Sequence, residues 1–302
     1  MHIPDQMLQG AVCPVTAGLG LLGVTAAALM AARGAGKQDL KRFAAVASLL
    51  FAGQMFNFPV ANGTSGHLIG GVLAAALLGT PLAVLAMTLV LALQAALFGD
   101  GGLLSLGANI VNMALIGVGV GALMRHFTIG RSLSAPRRMM LAFGAGWLSV
   151  MLSALAASME WAASGTVSLS QVVPAMLATH VWIGIGEGLV TAAFLELVAT
   201  RRIDEGGFSS TVPAMLLSGI LVLASPWASA LPDGLQRVAE RLGFLSVGDA
   251  ILSAPLDGYS MAVISDPRLA LMAAGLIGLV STFVSARLLG WRLCRAICHH
   301  DR

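Results

Sequence analysis

The eighteen residues 81–98 read Pro-Leu-Ala-Val-Leu-Ala-Met-Thr-Leu-Val-Leu-Ala-Leu-Gln-Ala-Ala-Leu-Phe and contain no charged side chain. A helix of about 20 mainly apolar residues crosses the hydrocarbon core of a bilayer, and an uncharged apolar run of this length is a candidate for such a helix. The stretch therefore predicts a transmembrane helix, and it sets the pattern for the rest of the chain.

The composition extends this prediction to the whole chain, which is 57% hydrophobic and 10% charged. A soluble domain is about a quarter charged. We therefore expect an all-α fold, a polytopic membrane helix bundle of about nine transmembrane segments, with segment 67–79 short enough to be tilted or tucked inside the bundle. The predicted helices lie near 11–32, 42–58, 67–79, 81–98, 103–124, 139–162, 172–199, 212–231 and 268–291.

The basic residues predict the orientation of the chain. Alternate crossing places 14 of the 17 basic residues on one side, in the ranges 33–42, 125–138, 201–202 and 287–302. Lys and Arg are enriched in cytoplasmic loops, so the N-terminus is expected outside and the C-terminus in the cytoplasm. The expected location is a bacterial cytoplasmic (inner) membrane, with several passes. The pI of about 9.1 then reflects topology, and no nucleic-acid partner is expected.

The chain is expected to divide near residue 205. Residues 1–204 hold seven closely spaced apolar segments, whereas residues 205–302 hold two helices and an outward loop from Pro232 to Pro267. Within that loop the apolar spacing from Leu235 fits a short amphipathic helix, with Asp233 placed to cap it.

The first five residues, Met1-His2-Ile3-Pro4-Asp5, suggest a metal site. If Met1 is the first residue of the mature chain, its α-amine joins the amide and imidazole of His2 in two fused chelate rings. Such a claw is nearly planar and leaves the fourth corner of a square open. Square-planar nitrogen coordination favours Ni(II) or Cu(II), although a solvated terminus is the alternative interpretation.

His67 is the natural donor for that fourth corner. It closes the outward loop Asn57-Phe58-Pro59-Val60-Ala61-Asn62-Gly63-Thr64-Ser65-Gly66-His67, on the same predicted side as Met1. A neutral imidazole is a common metal ligand. The alternative is a histidine that is hydrogen-bonded at a helix start.

These motifs, together with Leu106-Gly107-Ala108-Asn109-Ile110-Val111-Asn112-Met113, resemble those of the substrate-capture S component of nickel/cobalt energy-coupling-factor (ECF) transporters. The resemblance covers about residues 1–200. It implies Met1, His2 and His67 as the metal ligands, Ni(II) or Co(II) as the transported substrate and no cofactor. Gln6-Met7 departs from the family's usual Gly-Phe, which removes no ligand.

The resemblance also implies the partners. The region 205–302, with Pro232-Asp233-Gly234-Leu235, is similar to the family's small accessory subunit in fused form. The expected partners are a transmembrane scaffold subunit, two ATPase subunits and membrane lipid. The sequence contains no P-loop motif that would bind ATP, so the chain is expected to be a transport subunit and not an enzyme.

Further polar residues are expected to support the metal ligands. Ionisable groups inside a membrane commonly face the bundle interior at functional sites. Glu187 would be either a charge partner near the pocket or a protonated packing residue. The expected supporting residues are Asn57, Ser65, Asn109, Asn112, His180 and Glu187.

Two other function classes stay open at this point. Gly63-Thr64-Ser65-Gly66 matches the short motif of intramembrane serine hydrolases, with Ser65 as nucleophile and His180 as base. A secondary transporter with Glu187 as its coupling carboxylate is the third possibility.

Overall fold

The computed structural model describes residues 1–34, 37–200, 211–245 and 254–300. Within these ranges the chain forms ten helices and one β-hairpin. The helices are α1 (Val12–Gly34), α2 (Lys37–Met55), α3 (Gly71–Leu78), α4 (Thr80–Phe98), α5 (Leu106–Thr128), α6 (Ala135–Ala163), α7 (Leu169–Thr200), α8 (Thr211–Ala224), α9 (Gly234–Leu242) and α10 (Pro267–His300).

Six of the helices, α1, α4, α5, α6, α7 and α10, are long and apolar enough to span a membrane. This confirms a polytopic membrane protein, whereas the number nine and the orientation of the termini stay predictions. The first half of α2 is charged, with Lys41 and Arg42 in its second turn, and α8 is a shorter apolar helix. Helix α3 has eight residues and is mostly buried, so it lies inside the bundle.

Two helices contain π-helical segments on either side of the loop 99–105. Helix α4 ends in one at Gln94–Phe98, and α5 contains another at Ile110–Ile116. Such wide turns occur frequently at functional sites. Here they flank the loop that carries Asp100, and this loop also contacts the N-terminal segment.

The described residues also contain a short hairpin between the helices. Strand β1 (Phe58–Val60) pairs antiparallel with β2 (Thr64–Gly66). Asn62 and Gly63 form its turn with φ values of 62° and 68°, the left-handed region that Asn and Gly adopt most readily. His67 directly follows β2, in the segment that leads from the hairpin to the buried helix α3.

The helices of the C-terminal region pack on the helices of the first region. Both α8 and α10 lie against α2, and α10 also contacts α4. A Cβ atom at Gly275 would lie 2.6 Å from the Met55 side chain, so these helices approach closely. The two regions therefore share one interior, and Asp233 and Tyr259, between α8 and α10, lie at the same end of the bundle as Met1.

Candidate metal centre

The N-terminal segment is turned into the protein. Met1 is 6% exposed, His2 is 7% exposed and Ile3 is completely buried. Met7 is also buried in the main hydrophobic core. Burial of these apolar side chains, at about 25 cal/mol per Å² of apolar surface, anchors the segment and holds the terminal amine away from solvent.

Hydrogen bonds from the start of α5 fix the main chain at Ile3. The Ile3 amide donates to Asn109 Oδ1 at 2.8 Å, and Asn109 Nδ2 donates to the Ile3 carbonyl at 3.1 Å. The same carbonyl accepts from Ser105 Oγ at 2.6 Å and from the Gly102 amide at 3.0 Å. Asn109 therefore holds the main chain directly after His2, and its role in supporting a metal ligand stays a prediction.

Asp5 ties the segment to the loop before α5. Its Oδ1 accepts from the Leu104 amide at 2.9 Å and the Ser105 amide at 3.4 Å. A carboxylate is favourable near a helix N-terminus, where main-chain amides lack partners. A Cβ atom at Gly102 would overlap Asp5, so the loop passes this close only because Gly102 has no side chain.

The α-amine of Met1 has two partners from distant parts of the chain. It contacts Nε2 of His67, and it forms an ion pair with Asp233 Oδ2 at 2.9 Å. On the other side of the His67 ring, Nδ1 lies 3.1 Å from the Leu68 carbonyl. Because a carbonyl only accepts, Nδ1 carries the hydrogen, and the lone pair of Nε2 is directed at the amine.

The two histidines lie side by side. The rings of His2 and His67 stack with their centroids 5.2 Å apart and their planes 17° apart. His2 Nδ1 lies 3.2 Å from Asp100 Oδ1. Its Nε2 is buried and has no hydrogen-bond partner in the part of the chain that the structure describes. Both imidazoles therefore lie within reach of the amine.

Burial keeps both imidazoles neutral. It lowers the pKa of His2, and burial together with the charge of the α-amine lowers the pKa of His67 to about 3. Burial alone would raise the pKa of Asp233, but the α-amine and His67 outweigh it and hold that pKa below its usual range. The site thus presents neutral nitrogen donors beside ionised carboxylates, the protonation states that metal ligands require.

Glu187 fixes the loop that follows His67. Its completely buried carboxylate accepts from the amides of Ile69 at 2.7 Å and Gly70 at 2.8 Å. Gly70 has φ +82°, a conformation that glycine adopts without strain. Helix α7 therefore orients the main chain next to a candidate ligand.

His180 lies near the site without a direct partner there. Its Nδ1 lies 2.8 Å from the Met176 carbonyl, and its Nε2 has no partner within the described ranges. It lines a small cavity together with Met1 and His67. The arrangement fits a histidine at the edge of the site.

Two of the predicted supporting residues have other roles. Asn112 Nδ2 donates to Glu160 Oε2 of α6 at 2.7 Å, so its carboxamide stabilises the packing of two helices. Ser65 Oγ donates to the Leu231 carbonyl at 2.7 Å and joins β2 to the C-terminal region. No hydrogen bond joins Ser65 to His180 in the described ranges, so the geometry gives no support to a serine hydrolase.

Asn57 lies at a cavity of about 590 Å³. Its main-chain carbonyl accepts from the Ser229 amide at 2.9 Å. Residues of both regions line the cavity, which reaches His67, Asp100 and Asp233. The cavity is larger than a hydrated ion and extends to His67.

Sequence reasoning missed Asp100 and Tyr259, and for Asp233 it predicted the helix cap but not the contact with Met1. Asp233 caps α9 as predicted, since its Oδ1 accepts from the Gln236 amide at 2.7 Å. Its ion pair with Met1 was not expected. Asp100, a single acidic residue in a glycine-rich loop, and Tyr259 carry no local motif.

The donors at this centre are mixed. In the described residues, no group of three or more His, Cys, Asp or Glu side chains is arranged to hold a metal ion. The α-amine of Met1, which contacts His67 Nε2, and the amide of His2 are main-chain nitrogens next to the two imidazoles.

Comparison with known proteins places this geometry in a family. The family model CbiM, described as the cobalt uptake substrate-specific transmembrane region, matches residues 2–205. The chain belongs to the CbiM family. It is 30% identical over 336 residues to the fused nickel transport protein NikMN of Rhodobacter capsulatus, covering 92% of this chain and 94% of that one.

Other known proteins give the same result. The cobalt transport protein CbiM of Sorangium cellulosum is 31% identical over 166 residues, which are 53% of this chain and 72% of that protein. A crystal structure of a transition metal transporter matches with a TM-score of 0.59 and 30% identity, covering 66% of this chain and 93% of that one. The chain is thus a multi-pass cell-membrane protein of the nickel and cobalt transport family.

Proposed function

We propose that this chain captures Ni(II) or Co(II) outside the cell and carries it across the membrane as the substrate-specific component of an ATP-driven ECF transporter. One observation carries the proposal: the buried α-amine of Met1 contacts His67 Nε2 while the ring of His2 stacks on His67. The amine and His67 Nε2 are thereby in contact, and the imidazole of His2 lies beside them. The amide of His2, the fourth donor, lies between the amine and its own imidazole.

The four nitrogens suit a planar centre. The amine, the amide of His2 and His2 Nδ1 close two fused rings, and His67 Nε2 takes the fourth corner, an arrangement that favours Ni(II). In the structure His2 Nδ1 faces Asp100. Metal capture would require a rotation about the Cβ–Cγ bond of His2 that turns Nδ1 from Asp100 to the ion. A metal-bound histidine generally donates its other N–H to such a carboxylate.

Two carboxylates make the site favourable for a cation. Asp100 and Asp233 both line the cavity that leads to His67. Ionised groups at a cleft raise the local concentration of ions of opposite charge. Asp233, which pairs with the α-amine in the structure, would offset the charge of a captured ion.

The transport step requires partners. The sequence has no P-loop, and the family match describes a substrate-specific region. We therefore propose that a transmembrane scaffold and two ATPase subunits supply the hydrolysis and drive release of the ion inside. Support for this assembly comes from the family resemblance and from the fused nickel transport relatives.

Calorimetric titration with Ni(II) and Co(II) tests the ligand set. His67→Ala, and separately an uncleaved extension of three residues before Met1, should each abolish tight binding, because each removes one of the four nitrogen ligands. His126→Ala is the matched control, since His126 lies at the opposite end of α5 against Phe127. Unchanged binding in the extended protein would exclude the claw.

Uptake in reconstituted vesicles tests the coupling. The chain together with its scaffold and ATPases should accumulate Ni(II) only with ATP, and ionophores that collapse ion gradients should not stop it. Uptake that follows an ion gradient without ATP would instead support a secondary transporter.

A further inference from the structure

We propose that Tyr259 is a positioning residue for metal capture, which acts through Asp100 on His2. The inference rests on the proposed function. It assigns a role to a residue of the C-terminal region, 54 positions beyond the end of the family match at residue 205 and far in sequence from all proposed ligands.

The carboxylate of Asp100 joins the hydroxyl of Tyr259 to the imidazole of His2. The Tyr259 hydroxyl donates to Asp100 Oδ2 at 2.8 Å, while the other oxygen, Oδ1, lies 3.2 Å from His2 Nδ1. Each carboxylate oxygen of Asp100 therefore contacts one of the two side chains. Because the hydroxyl fixes one oxygen, it also fixes the direction in which the other meets the imidazole.

The ring of Tyr259 is held rigidly in place. It stacks on Phe98 at the end of α4, with the centroids 4.5 Å apart and the planes 19° apart. The preceding turn is tied to α4 as well, since the Leu256 amide donates to the Leu97 carbonyl at 2.9 Å. Asp100 follows Phe98 by two residues, so the ring and the carboxylate are fixed to the same helix end.

The backbone of Tyr259 is strained, which indicates that its position is specified. Its φ is 57°, in the left-handed region that residues other than glycine rarely adopt. Such strain persists where the surroundings determine the conformation, commonly at functional sites. Here the stacking on Phe98 and the hydrogen bond to Asp100 hold Tyr259 in this conformation. Tyr259 is also the only tyrosine of the chain.

The consequence concerns the orientation of His2. Hydrogen-bond partners behind a metal-bound histidine fix its ring, and their loss generally reduces metal affinity by about 10–100-fold. Without the hydroxyl, Asp100 is free to rotate away from His2 towards the solvent of the cavity. The C-terminal region then acts on the site at two points, at the amine through Asp233 and at the imidazole through Tyr259.

The test uses the full chain and titration with Ni(II). Tyr259→Phe keeps the ring on Phe98 and removes only the hydroxyl, and it should weaken binding about tenfold. Asp100→Asn should weaken binding by at least as much. The double variant should be no weaker than Asp100→Asn, since Tyr259 acts through that carboxylate.

The matched control is Ser260→Ala, which removes the neighbouring hydroxyl. Ser260 Oγ donates to the Asp257 carbonyl and is exposed, so its loss should leave the affinity unchanged. The visible absorption band of bound Ni(II) gives a second measurement. It should shift in Tyr259→Phe and stay in place in Ser260→Ala, which a purely structural effect would not produce.

The outcomes separate this inference from the proposed function. If the wild type binds Ni(II) and His67→Ala does not, but Tyr259→Phe binds like the wild type, only the role of Tyr259 is wrong. Additive losses of affinity in the double variant would show that Tyr259 has a packing role independent of Asp100. Tighter Ni(II) binding by Asp100→Asn would show that the Asp100 carboxylate competes with the ion for His2. Failure of the wild type to bind either Ni(II) or Co(II) would overturn both proposals.

Discussion

The carboxylate of Asp233 lies 2.9 Å from the α-amine of Met1, although the two residues are 232 positions apart. The same side chain caps α9 through the Gln236 amide. One residue thus joins the first atom of the chain to the start of a helix in the C-terminal region. The candidate metal centre and this region therefore form one structural unit.

Asp233→Asn should separate the charge of this residue from its capping role. Asparagine caps a helix about as well as aspartate, so the fold should persist. The loss of the negative charge beside the captured ion should weaken Ni(II) binding about tenfold, since a charge pair about 5 Å apart near a protein surface is worth up to about 3 kcal/mol. Titration calorimetry measures the effect.

Asp233→Ala provides the comparison for this prediction. It removes the cap as well and should lower the free energy of unfolding by about 1 kcal/mol more than Asp233→Asn. An Asp233→Asn protein that binds Ni(II) like the wild type would show that the ion pair with Met1 has no part in capture.

Asn109→Ala should release the N-terminal segment. Both hydrogen bonds from this side chain to Ile3 would be lost, and Ni(II) affinity should fall by about tenfold or more. Asn112→Ala is the control on the same helix. It breaks only the contact with Glu160, so it should reduce thermal stability and leave the affinity nearly unchanged; equal losses of affinity would contradict the prediction.

Gly102→Ala should displace the same segment by a different route. A methyl group at this position overlaps Asp5, so the loop before α5 and the N-terminal segment have to move apart. We expect a loss of Ni(II) affinity of more than about tenfold, measured by titration. Gly119→Ala, with nothing within 4 Å of the added group, should bind normally.

Acidification should destabilise the protein through His67. The folded protein lowers the pKa of this imidazole to about 3, whereas an unfolded histidine titrates near 6.5. The unfolded state therefore binds the extra proton, and stability falls as the pH drops from 6.5 towards 3. At pH 5 the loss is about 2 kcal/mol relative to pH 7, and it should appear as a lower unfolding temperature.

His67→Gln should flatten this pH dependence, since glutamine does not titrate. His2 has a lowered pKa too, so a smaller dependence of the same sign should remain. His126→Gln serves as the control. A His67→Gln protein with the full pH dependence of the wild type would show that the loss of stability has another origin.

The helices followed closely from the sequence, because hydrophobic length and charge are local properties. Residues 81–98 predicted a helix that the structure has at Thr80–Phe98. The hairpin at 58–66 was missed, because three-residue strands depend on pairing with each other and with Asp233. Composition alone does not show such pairing.

The supporting residues show why spacing misled in one case. Asn109 and Asn112 share a face in an α-helix, where residues three apart are neighbours. In the structure Ile110–Ile116 is π-helical, and its wider turn changes that spacing. Asn109 consequently bonds Ile3, whereas Asn112 bonds Glu160.

The sequence by itself determined the membrane character of the chain and most of its helices, because both depend on neighbouring residues, and it predicts Met1, His2 and His67 as ligands. Only the tertiary structure brought Asp100, Asp233 and Tyr259 to the N-terminus. Their contacts join residues more than 90 positions apart, and distances of that kind depend on how the helices pack. A local pattern of residues does not contain them.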